Sequence, residues 1–314
     1  MIRRLTVSLF ALAAAASCNA SAAVRSGQDS PRDFTIRSDV RLVLLDVAVT
    51  DHNGRLVPGL ARNDFSVTEN GIPQAITVFA NNDIPVTAGI LIDESSSMAP
   101  KRAEVLAAAE ALIERSNPND EIFVLNFNDH VTRGLPDGLL FSDDNRQLRS
   151  ALRNGTPQGR TALNDAIVAG LRQLELGRRD KKTLIVISDG GDNASHITRR
   201  AVADWVDRSL ATIYTIGIAD PDDPDRDPGL LKALARTSGG ESYFPNSLAD
   251  LGKICQSIAK EIRSRYTIGY APPSGKFGDL RRVRVYASAA GHTGLVARTR
   301  ARYRYEPIQG ESSN

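Results

Sequence analysis

The chain has 314 residues, of which 41% are hydrophobic and 24% are charged, a composition typical of a folded protein with about two domains. Its 39 Lys and Arg residues nearly balance its 37 Asp and Glu residues, so the sequence lacks the strong positive charge that would hold nucleic acid. Two cysteines and four scattered histidines exclude a disulfide framework and a structural zinc site of the usual spacing.

The first 23 residues have the layout of a secretory signal peptide. Arg3 and Arg4 precede an apolar run at 5–16, and small residues follow it. This run is shorter than the roughly 20 residues that span a bilayer core, which argues against a retained membrane anchor. The sequence therefore predicts export to the periplasm or the extracellular space, with lipoprotein processing at Cys18 as an alternative. No other stretch could span a membrane, so we expect a mature protein that is soluble or peripherally associated with the envelope.

The segment 36–82 has the alternating pattern of β-strands. Asn70-Gly71 separates two of its apolar runs and has the residue types of a tight hairpin turn, whose central residues need positive φ. Pro73 has no backbone N–H to donate to a neighbouring strand, which favours an edge position. This segment predicts a small antiparallel β region.

Between 84 and 262 short apolar runs alternate with segments of helical periodicity. The predicted strands are at 86–92, 122–127, 183–187 and 212–218, and the predicted helices are at 101–115, 162–176, 200–210, 228–235 and 248–262. Regular alternation of strand and helix indicates parallel strands joined by right-handed crossovers. The predicted fold class is therefore α/β, with a doubly wound, mostly parallel sheet.

Strand patterns return in the segment 264–307. Each terminal segment has about three strands, too few to bury a sheet of its own. We therefore expect 36–82 and 264–307 to pair into one small antiparallel β domain, with the α/β unit at 84–262 inserted between them. Two unrelated β appendages are the alternative, and the polar residues 308–314 predict a disordered tail.

Oxygen-bearing side chains follow two of the predicted parallel strands. Asp93, Ser95 and Ser97 come after the first strand, and Asp189 comes after the third. Parallel strands of an open α/β sheet all end at one edge, so we expect these residues to meet there. Alternate side chains of an extended segment share a side, which allows the first three to face one pocket. Thr161 precedes a predicted helix, where we expect it to be the N-cap at the same edge.

These two carboxylates and three hydroxyls form an all-oxygen set of ligands, which suits a hard divalent cation. So few ligands, with room for water, favour octahedral Mg²⁺ or Mn²⁺ over Ca²⁺. Hydroxyl ligands are neutral, so a bound dication would keep much of its charge and attract one further anionic oxygen.

The Asp93-x-Ser95-x-Ser97 motif, with Thr161 and Asp189, resembles the metal-ion-dependent adhesion site (MIDAS) of von Willebrand factor type A (VWFA) domains. The resemblance implies that the serines and the threonine bind the metal directly and that the aspartates bind it directly or through water. It also implies that an Asp or Glu carboxylate of a protein partner completes the coordination.

The flanking segments carry a second, broader resemblance. Asp46-Val47-Ala48-Val49-Thr50-Asp51 and Tyr266-Thr267-Ile268-Gly269-Tyr270 resemble segments of the exported VWFA-related family found largely in acidobacteria. This second resemblance implies an architecture and not an activity. With the predicted export, the first resemblance implies an exported, non-enzymatic module for adhesion or assembly.

Two alternatives to a binding module stay open. One is a structural envelope protein with a vestigial metal site. The other is a magnesium-dependent hydrolase like the haloacid dehalogenase phosphatases, which also place an Asp after the first strand. That chemistry generally needs a second carboxylate two residues later, where this chain has Ser95. The sequence also lacks a Gly-x-Ser-x-Gly elbow and a phosphate-binding Gly-x4-Gly-Lys-Ser/Thr loop.

Several polar residues have simpler interpretations. Glu94 and Ser96 are expected to point away from the pocket, and Asp192 and Asn193 are interpreted as loop residues. The buried-type position of Cys255 within a helix predicts a small core residue. The following arginines predict a solvated sheet face, with binding to an anionic envelope surface as the alternative: Arg281, Arg282, Arg284, Arg298, Arg300, Arg302 and Arg304.

Overall fold

The computed structural model describes residues 42–218 and 227–306. The predicted signal peptide at 1–23, with Cys18, and the predicted tail at 308–314 lie outside these residues. The strands are β1 (Val43–Thr50), β2 (Phe65–Glu69), β3 (Ile72–Gln74), β4 (Val78–Ala80), β5 (Val86–Asp93), β6 (Glu121–Phe127), β7 (Val131–Arg133), β8 (Lys181–Ser188), β9 (Thr212–Gly217), β10 (Ser242–Tyr243), β11 (Tyr266–Tyr270), β12 (Leu280–Ala287), β13 (Val296–Arg298) and β14 (Arg302–Arg304). The α-helices are α1 (Arg102–Glu114), α2 (Asn145–Arg153), α3 (Leu163–Glu175), α4 (Arg199–Arg208), α5 (Pro228–Ser238) and α6 (Leu251–Ser264).

The central sheet has the strand order β10-β9-β8-β5-β6-β7 and is parallel except for β7. Strands β5, β6 and β9 are buried along their whole length, as expected of parallel strands covered on both faces. Helix α1 packs against α6, and α4 contacts both α3 and α5. The doubly wound, mostly parallel α/β class predicted from the sequence is confirmed.

Two antiparallel sheets combine strands from before and after the central sheet. Their orders are β13-β1-β11-β4 and β14-β12-β2-β3. Strand β1 pairs with β11, and β2 pairs with β12, so each sheet places an N-terminal strand beside a C-terminal one. The inward faces of both sheets share one hydrophobic core, to which Leu45, Phe65, Ile268 and Val285 contribute. The result is a small β-sandwich that joins the two ends of the α/β unit.

The hairpin predicted at Asn70-Gly71 is confirmed. Asn70 has φ 50° and Gly71 has φ 86°, and the two residues connect β2 to β3. Pro73 lies in β3, at the edge of its sheet. Proline has no backbone N–H, but the outer side of β3 has no neighbouring strand, so no hydrogen bond between strands is lost there.

The structure adds elements that the sequence pattern did not predict. Helix α2 is strongly polar, and only Leu148, Ala151 and Leu152 of its residues are buried. Its start is fixed by Asp144, whose side chain accepts a hydrogen bond from the Arg146 backbone N–H. Strands β7 and β10 have three and two residues, too few to show a period. Short polar elements of this kind depend on packing against the margins of the sheet and not on a periodic pattern in their own sequence.

The solvated face expected for the C-terminal arginines is wrong for five of the seven. Arg282 and Arg284 are exposed, whereas the others form contacts within the protein. Arg281 pairs with Glu69, Arg298 with Glu241 and Glu261, Arg302 with Asp207, and Arg304 with Asp204, while Arg300 donates to the carbonyls of Val206 and Ser209. These arginines mostly connect the β-sandwich to α4 and α6, because their acidic partners lie on distant elements.

Two smaller expectations concern burial. Cys255 is fully buried in the core beside the central sheet, as predicted, and burial raises the pKa of its thiol to about 12. Within residues 42–218 and 227–306, none of the helices has both the length and the apolar character needed to cross a bilayer.

Candidate metal centre

The candidate site lies where β5 and β8 end side by side. The two strands are parallel, and Ile92 is the register partner of Ile187. Asp93, the last residue of β5, therefore lies beside the end of β8, which Asp189 directly follows. Both aspartates are buried, with 2% and 3% of their surface exposed. The topology thus brings together two carboxylates that are remote in the sequence.

Asp93 is held by hydrogen bonds from both strand ends. Its Oδ1 accepts from the Ser95 backbone N–H at 2.9 Å, and its Oδ2 accepts from the Ser188 hydroxyl at 2.6 Å. The Ser188 hydroxyl in turn accepts from the backbone N–H of Gly190 at 3.0 Å. These bonds fix the orientation of the carboxylate on a backbone that neighbouring strands already constrain.

The two serines of the motif connect Asp93 to Asp189. The hydroxyls of Ser95 and Ser97 are 3.1 Å apart, and the Ser97 hydroxyl donates to Asp189 Oδ2 at 2.5 Å. Asp189 Oδ1 accepts from the Gly191 backbone N–H at 3.2 Å. Ser95 is buried whereas Ser97 is exposed, so the cluster reaches solvent on the Ser97 side. Four of the five predicted site residues are therefore in one hydrogen-bonded group.

Thr161 joins this group through its loop. Ser96 N–H donates to the Gly159 carbonyl at 3.1 Å, which ties the loop before Thr161 to the serine turn. The expectation that Thr161 is a helix N-cap is wrong, because α3 begins at Leu163 with Ala162 in the cap position. Ala162 has φ −100° and ψ 61°, outside the helical region, and its carbonyl accepts the first hydrogen bond of the helix from the Ala166 N–H at 3.0 Å. Thr161 is 5% exposed, and its hydroxyl does not cap the helix.

Residues that the sequence analysis did not assign to the site hold its loops. Asn193 Oδ1 accepts from the Thr161 N–H at 2.9 Å, and the Thr161 carbonyl accepts from the N–H groups of Asn193 and Ala194. Asp192 accepts from the Asn164 side chain and from the Ser195 hydroxyl, both at 2.5 Å. The interpretation of Asp192 and Asn193 as loop residues therefore missed their role in holding the loops of the site. Their position just after Asp189 was the available signal.

Ser188 was also missed. A serine at the end of an apolar strand is an ordinary feature, and only the pairing of β5 with β8 places it against Asp93. Glu94, by contrast, points away as predicted. It forms an ion pair with Arg102, whose Nε lies 2.8 Å from Glu94 Oε2.

The electrostatics of the cluster favour a cation. Burial, and after it the nearby Asp189 carboxylate, raise the pKa of Asp93 to about 7, although the hydrogen bonds from Ser188 and Ser95 act in the opposite direction. Within residues 42–218 and 227–306, neither aspartate forms an ion pair with Lys, Arg or His. Two buried carboxylates without a positive partner are costly, and a divalent cation between them would remove that cost.

The donor set fits a hard divalent ion in other respects. Asp93, Ser95, Ser97, Thr161 and Asp189 offer only oxygen atoms, which suit Mg²⁺ or Mn²⁺. In the described part of the chain no three His, Cys, Asp or Glu residues cluster in a way that could hold a metal. A site with two carboxylates and three hydroxyls does not need such a cluster. The assignment of the five residues as ligands stays a prediction.

Comparisons with known proteins agree with the fold. Residues 89–191 match the family model described as the von Willebrand factor type A domain. An uncharacterised protein of Synechocystis sp. is 27% identical over 176 residues, which are 52% of this chain and 38% of that protein. The chain thus spans well under half the length of this relative.

Two solved structures share the fold at low sequence identity. One is a von Willebrand factor type A protein from Catenulispora acidiphila, with a TM-score of 0.52 and 17% identity over 87% of this chain and 75% of that one. The other is proximal thread matrix protein 1 of the mussel byssus with a zinc-occupied MIDAS motif. It has a TM-score of 0.50 and 19% identity over 63% of this chain and 50% of that one. The segment 89–191 that matches the family model contains most of β5, all of β6 and β8, and all five predicted ligands. Residues 89–191 therefore match the von Willebrand factor type A domain in sequence, and the chain shares its fold.

Proposed function

We propose that this chain is an exported protein-binding module that captures a partner's Asp or Glu carboxylate through Mg²⁺ held by Asp93, Ser95, Ser97, Thr161 and Asp189. Type A domains generally act as interaction modules rather than enzymes, and they bind a divalent metal at the MIDAS. The metal would supply a positive charge to which an outside carboxylate can bind. Export is proposed from the sequence of residues 1–23 alone.

The observation that carries this proposal is the pair of buried carboxylates bridged by serine hydroxyls. Asp189 accepts from Ser97, Ser97 lies next to Ser95, and Asp93 accepts from the Ser95 backbone. Three of the five proposed ligands are neutral hydroxyls, and the two carboxylates balance the charge of a dication without filling its coordination sphere, which leaves a position for an outside carboxylate. The exposed position of Ser97 gives a partner's carboxylate access to the cluster.

The hydrolase alternative receives little support from the same geometry. Ser95 occupies the position where that chemistry generally has a carboxylic acid, and the adjacent Glu94 is engaged by Arg102 on the other side of the turn. A structural protein with a vestigial site remains the alternative that a metal titration decides.

The first experiment measures the melting temperature of the mature protein as Mg²⁺ or Mn²⁺ is added after treatment with a chelator. Binding to the folded state alone stabilises it by about 2.7 kcal/mol at 100 times the dissociation constant. We expect a rise in melting temperature that Asp93→Ala abolishes. Asp180→Ala is the matched control, because Asp180 is exposed and immediately precedes β8, the strand that Asp189 follows.

The second experiment tests partner capture. Envelope extract is passed over immobilised protein with Mg²⁺ or with chelator, and bound proteins are compared between the wild type, Asp93→Ala and Asp180→Ala. We expect partners that are retained only with Mg²⁺ and only by the wild type and the control. Equal retention by all three proteins, or a melting temperature that Mg²⁺ does not change, would contradict the proposal.

A further inference from the structure

Four large apolar side chains are exposed at one end of the β-sandwich. Leu42 precedes β1, Ile72 begins β3, Phe277 lies in the loop between β11 and β12, and Leu280 begins β12. Their exposed fractions are 37%, 63%, 75% and 43%, in that order. We call these four residues the apolar tip. The proposed capture of a carboxylate makes no use of them.

Strand pairing brings these residues to the same end of the sandwich. The start of β1 lies beside the end of β11. In the other sheet the turn between β2 and β3 lies beside the start of β12, because the Asn70 N–H donates to the Arg282 carbonyl at 2.8 Å. The Tyr270 hydroxyl at the end of β11 donates to Glu69 at the end of β2 at 2.7 Å. This contact aligns the two sheet ends, so the members of the apolar tip are neighbours in space although they are remote in the sequence.

An ordered turn holds Phe277 outward. The Asp279 N–H donates to the Lys276 carbonyl at 3.1 Å, and the Lys276 N–H donates to Asp279 Oδ2 at 2.9 Å. Gly278 has φ 82°, the left-handed conformation that favours glycine, and its N–H donates to the Tyr305 carbonyl at 2.7 Å. Backbone contacts thus build the turn, and the Phe277 side chain is left in solvent. Exposed apolar groups that cluster in this way mark contacts with proteins or membranes.

The surroundings of the apolar tip favour a membrane. Phe and Leu side chains of peripheral proteins enter the boundary between lipid headgroups and acyl chains to a depth of about 5–10 Å, with cations beside them. Lys276 is exposed next to Phe277, and Arg282 is exposed on the same face of β12 as Leu280. Each cation near an anionic bilayer adds to the attraction. Asp279 is also exposed, but its carboxylate already accepts the Lys276 N–H.

A second copy of the chain fits the apolar tip less well. A stable protein interface buries about 800 Å² on each partner and takes about 20–30 residues from each. The apolar tip offers four side chains on separate turns and strand starts. Such a set can enter a fluid lipid boundary without matching the shape of another protein surface.

The chain also enters the sandwich at this end. Residues 1–41 lead into Leu42, and they begin with the predicted leader, whose apolar run we expect to meet the bilayer during export. The apolar tip is therefore the end of the sandwich to which the membrane-targeting segment is joined.

We propose that the apolar tip binds the protein peripherally to an anionic lipid bilayer, with Phe277 inserted at the headgroup boundary and with Lys276 and Arg282 against the lipid phosphates. Binding at this end needs no metal. The inference therefore goes beyond the proposed function and is independent of it.

The test is co-sedimentation of the mature protein with vesicles of phosphatidylethanolamine and phosphatidylglycerol in the presence of chelator. We expect Phe277→Ser to weaken binding about tenfold, because it removes a large apolar side chain from the bilayer. Tyr286→Ser is the matched control and should bind like the wild type. Tyr286 is 52% exposed in β12, about 20 Å along the strand from Leu280. Neutral phosphatidylcholine vesicles should bind the wild type several times more weakly.

Phe277→Trp is the second variant and reports insertion directly. The chain has one tryptophan, Trp205 in α4, so the wild type gives the background emission. We expect Phe277→Trp to bind like the wild type and to show additional quenching by lipids with brominated acyl chains.

Three results would overturn the inference: no sedimentation with anionic vesicles, equal binding by Phe277→Ser and the wild type, or no additional quenching in Phe277→Trp. A wild type that is dimeric in solution and becomes monomeric in Phe277→Ser would assign the apolar tip to a second copy and would overturn it as well. Equal binding to neutral and anionic vesicles would contradict the role of Lys276 and Arg282. The melting temperature of Phe277→Ser should still rise with Mg²⁺, so the proposed function is tested separately.

Discussion

Buried carboxylates occur in two very different settings in this protein. In the β-sandwich, Glu69 is 2% exposed and accepts hydrogen bonds from Arg281, Tyr270 and Tyr303 at 2.7–2.8 Å. At the edge of the central sheet, Asp93 is equally buried, but its partners are a serine hydroxyl and a backbone N–H. The first carboxylate is neutralised by a cation of the chain, and the second is not.

This difference shows what each region is suited to do. An arginine neutralises a buried acid permanently, which supports a fixed interface between sheets. Hydroxyls orient an acid without neutralising it, so its charge stays available to a ligand that arrives later. Asp189 makes the second setting more unfavourable still, because it brings another carboxylate close to Asp93. The comparison predicts opposite responses when a charge is removed from each region.

The largest effect is expected for Arg281→Leu. This change leaves Glu69 buried without its cation, and breaking a buried pair in this way costs about 3–5 kcal/mol of the free energy of unfolding. Denaturant unfolding monitored by circular dichroism measures it. Arg284→Leu is the control, since Arg284 is an exposed residue of the same strand, β12, and should change stability by less than about 0.5 kcal/mol. Similar values for the two variants would refute the neutralising role of Arg281.

Asp189→Asn should act in the opposite direction. In the absence of metal it removes one of two close buried carboxylates while keeping an oxygen for Ser97, so we expect the free energy of unfolding to rise by about 1–3 kcal/mol. The same variant should lose the stabilisation by Mg²⁺. Asp180→Asn, at the other end of β8, should show neither change. A metal-free Asp189→Asn that is less stable than the wild type would mean that the two carboxylates do not repel each other.

The pH dependence of the metal-free protein follows from the burial of Asp93 and, after it, from the repulsion by Asp189. Because the pKa of Asp93 is raised to about 7, the folded state holds this proton more tightly than the unfolded state does. The resulting stability is fully present below the ordinary pKa of the carboxyl and is lost as pH rises through about 7. We therefore expect the melting temperature to fall by a few degrees between about pH 5 and about pH 8. Asp93→Asn should show a smaller fall, and an equal fall would assign the effect to other groups.

The smallest effect is expected for Arg304→Ala. Arg304 pairs with Asp204 of α4 at 2.7 Å, but 29% and 44% of the two side chains are exposed. Solvent screening limits such a pair to about 0–1 kcal/mol. Chemical denaturation of Arg304→Ala and of Arg281→Leu would therefore compare how much an exposed and a buried arginine ion pair of the same sheet contribute to the free energy of unfolding. A cost above about 2 kcal/mol would show that the contact with α4 is stronger than its exposure indicates.

Much of the fold could be predicted because its signals are local. The apolar run that becomes β5 is buried on both faces, and the polar motif that follows it marks the functional edge. The common edge at which the strands end follows from the topology of parallel sheets, whereas the order of the strands was not predicted. The polar helix α2 could not be predicted in this way, since only three of its residues reach the core.

The details of the site that could not be predicted depend on contacts between distant residues. Thr161 is not a helix cap, because Ala162 has a non-helical backbone and its carbonyl accepts the first hydrogen bond of α3. Ser188 and Asn193 become important only when β5, β8 and the following loop are assembled. The C-terminal arginines were misinterpreted for a related reason. Their alternation along strands indicated an exposed face, but their acidic partners lie far away in the sequence.

The closure of the β-sandwich by strands from both ends of the α/β unit has a consequence for synthesis. The hydroxyl of Tyr266 in β11 donates to the Val57 carbonyl, a contact between residues 209 positions apart. Ribosomes add about 5–20 residues each second, so β1 waits on the order of ten seconds or longer for β11, and β2, already paired with β3, waits as long for β12. During this interval their apolar faces and open edges are unprotected. A chaperone that shields the nascent N-terminal strands would therefore improve the yield of folded protein more than one that acts on the completed chain.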